Sequence, residues 1–164
     1  MDTYKGSGVS PGIGLGKFYV INNEIDFSIP KKLSFKESQK KLDKRYKQLI
    51  SELEKENRQD ESEVLDAYRL IVNDPEIIEM VDDDQNLLEI FQAFKDTSDQ
   101  MLSIEDDYFK QRAEDIISIG KEIIFTMQDI VIDKNFTEDV IIFAEDLTPN
   151  DTSSIDLTKV KGFV

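Results

Sequence analysis

The chain has 164 residues, 39% hydrophobic and 34% charged, with 20 Lys/Arg against 35 Asp/Glu and a formal net charge of −15; this is the balance of a globular domain long enough to bury a core. It contains no cysteine and no histidine, which excludes disulfides, thiolate nucleophiles, imidazole bases and Cys/His zinc sites. The acidic balance argues against nucleic acid as a partner, and the lack of an apolar run near the ~20 residues that span a bilayer, or of a basic-then-apolar leader, predicts a cytoplasmic protein with no membrane insertion.

In chain order, the first feature is "GSGVSPGIGLGKFYVI" at 6–21, five glycines in eleven positions followed by an apolar run. A dinucleotide or P-loop cradle needs its glycines after a strand and before a helix, whereas here Gly12, Gly14 and Gly16 precede the predicted strand "KFYVI" at 17–21. Close backbone approach or positive φ at a strand entry is the reading that fits.

A helical block follows. "SFKESQKKLDKRYKQLISELEKEN" opens with a capping box, Ser34 and Glu37, and puts Phe35, Leu42, Tyr46, Leu49 and Leu53 on one stripe. A second helix runs from about 60 to 72 with Val64, Leu65, Tyr68 and Ile71 inward, and "NDPE" restarts it, Asp74 as N-cap and Pro75 at the first position. A third covers about 85–102 with Leu88, Phe91 and Met101 among its apolar residues, and a fourth follows with Ser103 and Asp106 as a capping pair and Tyr108, Ile116, Ile119, Ile123 and Met127 recurring along it. Short links between long helices predict antiparallel neighbours, hence a bundle of about four members over 34–129. Beyond it, "DVIIFAE" at 139–145 and "KVKGFV" at 159–164 read, like 17–21, as buried strands, and "LTPND" between them as a short helix started by Thr148, Pro149 and Asp151. Strands on both flanks of a helical block predict an α/β layer with the helices inserted in it, and so short a sheet predicts a piece of a longer protein.

Charge divides unevenly along this plan: residues 1–58 carry net +4 and the rest −19, with ten acids between 60 and 84 against the single Arg69. Such a field is either a solvated helical face or a docking surface for a basic partner. The run Asp82, Asp83, Asp84 has no EF-hand context, so it reads as a solvated helix end and not a metal site. Arg112, one turn from Asp115, is either a surface pair or a cation placed for a phosphate or an opposing carboxylate.

The stretches "VSPGIGLGKFYVI", "EVLDAYRLIVNDPEI", "DDYFKQRAEDIISIGKEI" and "VIIFAEDLTPNDTSSIDLTKVKGFV", in this order, resemble the N-terminal part of enzyme I of the bacterial phosphoenolpyruvate:sugar phosphotransferase system. That resemblance implies an α+β, mostly helical fold: a four-helix bundle that binds the basic phosphocarrier HPr, inserted in an incomplete α/β phosphohistidine domain. The corresponding division is 1–32, 33–130 and 131–164, the last cut off before the phosphohistidine motif. In the family, a histidine of a "GG-x-[ST]-S-H" motif takes phosphate from phosphoenolpyruvate and hands it to HPr; this chain has none, so it is expected to be inactive alone. By the same resemblance Asp60, Glu61, Tyr68, Leu70, Ile71 and Arg112 are partner-binding, while Thr152 and Asp115 lie near the active histidine. Tyr68, Arg69 and Leu70 depart from the family's residues at their positions. The fragment is expected to bind no cofactor, Mg²⁺ and phosphoenolpyruvate belonging to a C-terminal domain, and to be monomeric where the whole enzyme is a homodimer. Two other readings stay open here: a non-catalytic acidic interaction module, and a related phosphoenolpyruvate-using enzyme such as pyruvate phosphate dikinase.

Overall fold

The structure is a computed structural model that describes residues 8, 11–130, 136–145 and 147–164. Gly6, Val9, Ser10 and Asp146, which the motif readings include, lie outside the described residues. The chain divides into two compact units, one built from Met1–Asn22, Lys134–Glu145 and Asp156–Val164, the other from Asn23–Asp133 and Asp146–Ile155.

In the larger unit the predicted helices form and their local signals are in place. Helix α1 (Phe35–Lys55) begins with the full capping box: Glu37 N–H donates to the Ser34 hydroxyl at 3.2 Å and Ser34 N–H donates to the Glu37 carboxylate at 2.9 Å, so two otherwise unpaired donors are satisfied. Helix α2 (Gln59–Val72) follows after three residues, then the short α3 (Pro75–Glu79), whose N-cap Asp74 accepts from Glu76 N–H at 2.9 Å. Helix α4 (Leu87–Leu102) has its own capping box from Asn86 and Glu89. Ahead of α5 (Asp107–Met127) the predicted Ser103/Asp106 pair is corrected. Ser103 keeps helical backbone and its N–H donates to Asp99 O at 3.2 Å, so it closes α4, while Asp106 is extended and caps α5 alone through Tyr108 N–H.

Burial follows the 3.6-residue period. Leu42, Tyr46, Leu65, Ile90, Phe94 and Ile119 lie in one core to which α1, α2, α4 and α5 all contribute. Val64, expected inward, is 39% exposed, and the apolar Leu88 and Tyr108 are exposed at 56% and 69%. Leu88 sits one position past the buried Leu87, about 100° around the helix, whereas Tyr108 stands in the first turn of α5, ahead of Ala113, the first buried residue of that helix. The segment before α1 is strapped to the end of α5, where buried Gln128 donates its amide to Asp26 O at 2.7 Å and Ile29 O at 3.0 Å, and Met127 O accepts from Lys32 and Leu33 N–H. Helix α6 (Pro149–Ser153) also belongs to this unit and packs against α2; the sequence division had placed its residues with the α/β part. Its predicted start is present: Thr148 N–H and Oγ1 donate to Asp151 at 2.9 and 2.8 Å, and Asp151 N–H returns to Thr148 Oγ1 at 3.1 Å.

The smaller unit is a parallel three-stranded sheet, β1 (Lys17–Ile21), β2 (Val140–Ala144) and β3 (Val160–Phe163), with β2 in the middle. Lys17 pairs with Val140 and Ile21 with Ala144. Only alternate positions are buried, so the expectation of buried strands is corrected. Ile21, Val140 and Ile142 are buried, whereas Phe18 and Val20 on edge strand β1 are exposed on the same side as their registry partners Ile141 and Phe143. At the strand entry, a Cβ on Gly16 would stand 2.8 Å from Asp139 O and 2.9 Å from Val140 C, which is the close backbone approach the glycines were read to permit.

The α4–α5 contact rests on another glycine. A Cβ on buried Gly120 would lie 2.8 Å from Cγ and 2.9 Å from Cβ of Phe94, and the second atom is anchored to the α4 backbone. Helix propensity favours alanine by about 0.5–1 kcal/mol, but overpacking costs about 1–3 kcal/mol. Gly120→Ala is therefore expected to lower the Tm in thermal unfolding; an unchanged or raised Tm would show that α4 and α5 separate freely.

Candidate partner-docking site

Helix α2 carries most of the residues singled out in the sequence, and packing divides them into two groups. Leu65, Tyr68, Ile71 and Val72 turn inward, Tyr68 being 2% exposed. Asp60, Glu63, Val64, Asp66 and Leu70 are exposed, Leu70 at 64%. Positions 60, 63, 64, 67, 70 and 74 recur at helical spacing, so Val64, Ala67 and Leu70 form an apolar strip bordered by acids. Tyr68 and Ile71 were expected to meet a partner; the structure places both in the core, because they share the stripe of Leu65 and Val72.

Tyr68 is held from two sides. Its ring packs edge-on to Tyr46 with centroids 6.4 Å apart, and its hydroxyl hydrogen-bonds with Asp115 and Ser118 on α5. Tyr46 makes a parallel connection, donating to Glu122 Oε2 at 2.9 Å. Burial pushes the phenol of Tyr68 well up, and the charges of Asp115 and Glu122 add to that; Tyr46 is raised by burial and then by Glu122. Asp115 is half-buried, and burial raises its carboxyl, opposed by the hydrogen bond from Tyr68 and the charge of Arg112. Arg112 thus acts on Asp115 electrostatically and sits at intermediate exposure on the same helix.

The remaining predicted residues are distributed around this centre. Glu61 is engaged by Arg58, whose Nε donates at 2.6 Å, so its charge is largely spent locally, while Asp60 is exposed. Thr152 lies at intermediate exposure on α6, its N–H and hydroxyl both directed to Thr148 O, at 3.1 and 3.4 Å. Asp115 and Thr152 therefore stand on two different elements, α5 and α6, that each pack against α2.

Sequence reasoning missed Asp43 on α1. It accepts from Arg69 Nε at 2.8 Å, from Asn73 at 2.9 Å and from Lys47 at 2.7 Å. Only the i, i+4 link to Lys47 is written in local spacing; the contact with Arg69 crosses 26 positions. Burial acts to raise its carboxyl, but the hydrogen bonds from Lys47, Asn73 and Arg69 outweigh that and hold it low. Arg69 also reaches Asp66 at 3.1 Å.

Among the described residues no group of three or more acidic side chains has a metal-holding arrangement, and no helix is long and apolar enough to cross a membrane.

A helical bundle inserted in sequence between parallel strands defines an α+β, mostly helical domain. A family description, "PEP-utilising enzyme, N-terminal", matches residues 5–112, and the chain belongs to that family. It is 33% identical, over 99% of its length, to the phosphoenolpyruvate-protein phosphotransferase of Bacillus subtilis, and 28% identical, over 97%, to that of Mycoplasma genitalium. The chain spans about a third of those relatives, 31% of each. Among solved structures it resembles the NMR solution structure of the Enzyme I (nEIt) protein, with a TM-score of 0.71 at 24% identity over 94% of this chain and 69% of that one. It also resembles an N-terminal domain of Enzyme 1 - Nitrogen, with 0.62 at 13% identity over 94% and 70%. These two likenesses concern the fold alone, and the α+β, mostly helical class expected from the sequence agrees with them.

Raised above its ordinary value of about 3.9, the Asp115 carboxyl disfavours folding when ionised. Its contribution is most favourable below the unfolded pKa and declines as pH rises through the folded one. Asp115→Asn retains an acceptor for Tyr68 and loses the buried charge, so its Tm relative to the native chain is expected to rise between about pH 4 and pH 7. A Tm difference constant over that range would mean that the carboxyl feels no net burial penalty.

Proposed function

We propose that this chain is the partner-docking part of a phosphoenolpyruvate–protein phosphotransferase, and that α2 presents its acid-bordered apolar strip to the basic carrier HPr. The observation that carries the reading is Leu70, a large apolar side chain 64% exposed in the last turn of a helix whose neighbourhood, 60–84, holds ten acids and one arginine. An apolar anchor ringed by charge of one sign is suited to a partner with the opposite charge and a matching apolar patch. The names of the relatives support the choice of reaction and of a protein as its acceptor.

In the whole enzyme the phosphoryl group passes from phosphoenolpyruvate to an enzyme histidine and then to a histidine of HPr. The present chain contains no histidine, so its share is to hold the acceptor in place, which is where much of the barrier to phosphoryl transfer is overcome. Asp60 and Glu63 steer the encounter, and Leu70 with Val64 supplies the apolar contact. Arg112 and Asp115 on α5, with Thr152 on α6, lie beside the helix that docks, Arg112 being the cation available to meet a phosphate.

The alternative of a module for some other basic partner drew its support from the residues at 68 and 69. Tyr68 is internal and Arg69 is paired with Asp43 and Asp66, so neither departure changes the exposed strip.

Titration of the isotope-labelled chain with unlabelled HPr at low ionic strength is expected to shift amides of 60–74, with affinity falling as salt rises. Leu70→Ala is expected to weaken binding about tenfold, as burial of a leucine side chain implies, with little change in Tm. Absence of amide shifts at low salt would overturn the proposal.

A further inference from the structure

The sole cation of the 60–84 stretch is Arg69, and its side chain is not free to join the docking face. Its Nε donates to Asp43 Oδ1 at 2.8 Å across the α1–α2 interface, and a terminal nitrogen reaches Asp66 Oδ1 at 3.1 Å. Asp43 is the more buried partner, its side chain 17% exposed, and Asn73 and Lys47 hold it from two further directions. Along α2 the positions 66, 69 and 73 form a stripe that turns toward α1, next to the outward stripe of 63, 67, 70 and 74.

From this geometry we infer that Asp43 is a specificity-determining residue of the docking face, acting by holding the Arg69 guanidinium against α1. The inference rests on the proposed docking reading and adds to it a residue from a different helix. Released from Asp43, an arginine can lay its methylene stem over neighbouring apolar surface and present its charge beyond it. Next to Leu70 that would cover the apolar anchor and put a positive charge among the acids that attract a basic partner. Held against Asp43, the same arginine stabilises the α1–α2 contact and leaves the face acidic. The structure thereby accommodates a cation on an acidic helix without repelling the basic partner.

A double-mutant cycle separates this from simple net charge. If only total charge mattered, Arg69→Leu would strengthen binding equally whether or not Asp43 is present. Positional control predicts unequal effects: Arg69→Leu changes affinity less than about twofold in the native background, and improves it about fivefold in the Asp43→Ala background, a coupling within the range for contacting charges. Binding is measured at low ionic strength with two probes, HPr and an octalysine peptide, on the 164-residue chain, and Tm is recorded for every variant. Where Asp43→Ala unfolds the chain, Asp43→Asn, which keeps an acceptor for Arg69 and Asn73, takes its place and is expected to give a smaller effect of the same sign. Equal effects of Arg69→Leu in both backgrounds overturn the inference, as does failure of the native chain to bind octalysine. Coupling seen with octalysine, together with no binding of HPr, would sink the choice of partner and leave the role of Asp43 standing.

Discussion

Burial of the inner stripe of α2 against α1 and α5 is the contact on which the docking face depends. Leu65, Tyr68, Ile71 and Val72 are all nearly inaccessible, and each apolar side chain so buried contributes about 1.5–3 kcal/mol. Tyr68 adds directionality, because a buried hydroxyl must find a partner: Asp115 and Ser118 on α5 provide it. The edge-on contact with Tyr46 ties the same ring to α1. A helix held in this way cannot rotate, so Leu70, about 140–160° around the helix from Leu65, Tyr68 and Val72, has no choice but to face outward.

The polar contacts then decide the character of that outward face. At the α1 side, Asp43 collects Arg69, Asn73 and Lys47, which removes the local cation from the surface strip. At the α5 side, Arg112 and Asp115 form a pair of opposite charges beside Tyr68. Helix α6 brings Thr152 to a third side of α2. Residues from three other helices, α1, α5 and α6, thus surround one helix, and their charges are arranged so that acids dominate where the helix is exposed.

Much of this was legible in advance. The capping boxes at Ser34 and Thr148 and the N-cap at Asp74 rely on partners two or three residues away, so they follow from the chain wherever it lies. The same holds for the strands at 17–21 and 140–144. Helix-face readings were less sound at stripe edges and helix ends: Leu88 is apolar in type but rotated about 100° from Leu87, and Tyr108 stands in the first turn of α5, ahead of its buried residues. Tyr68 illustrates the opposite error, since a resemblance drew it as a surface contact although its own spacing to Leu65 and Val72 placed it inside. The capping role of Ser103 was misread because a serine after one helix and before the next is equally suited to either end.

What the linear chain determined, then, was the set of elements, their order, their caps and the strongly acidic sign of 60–84, because each depends on neighbours within a turn or on a charge sum. Tertiary structure decided which side of α2 faces outward, that Arg69 is paired with Asp43 at a separation of 26 positions, that α6 joins the helical unit, and that only alternate strand residues are covered. The physical reason is that rotation of a helix about its axis and the face a strand presents are set by side chains meeting across elements, and no local spacing records which of those meetings occurs.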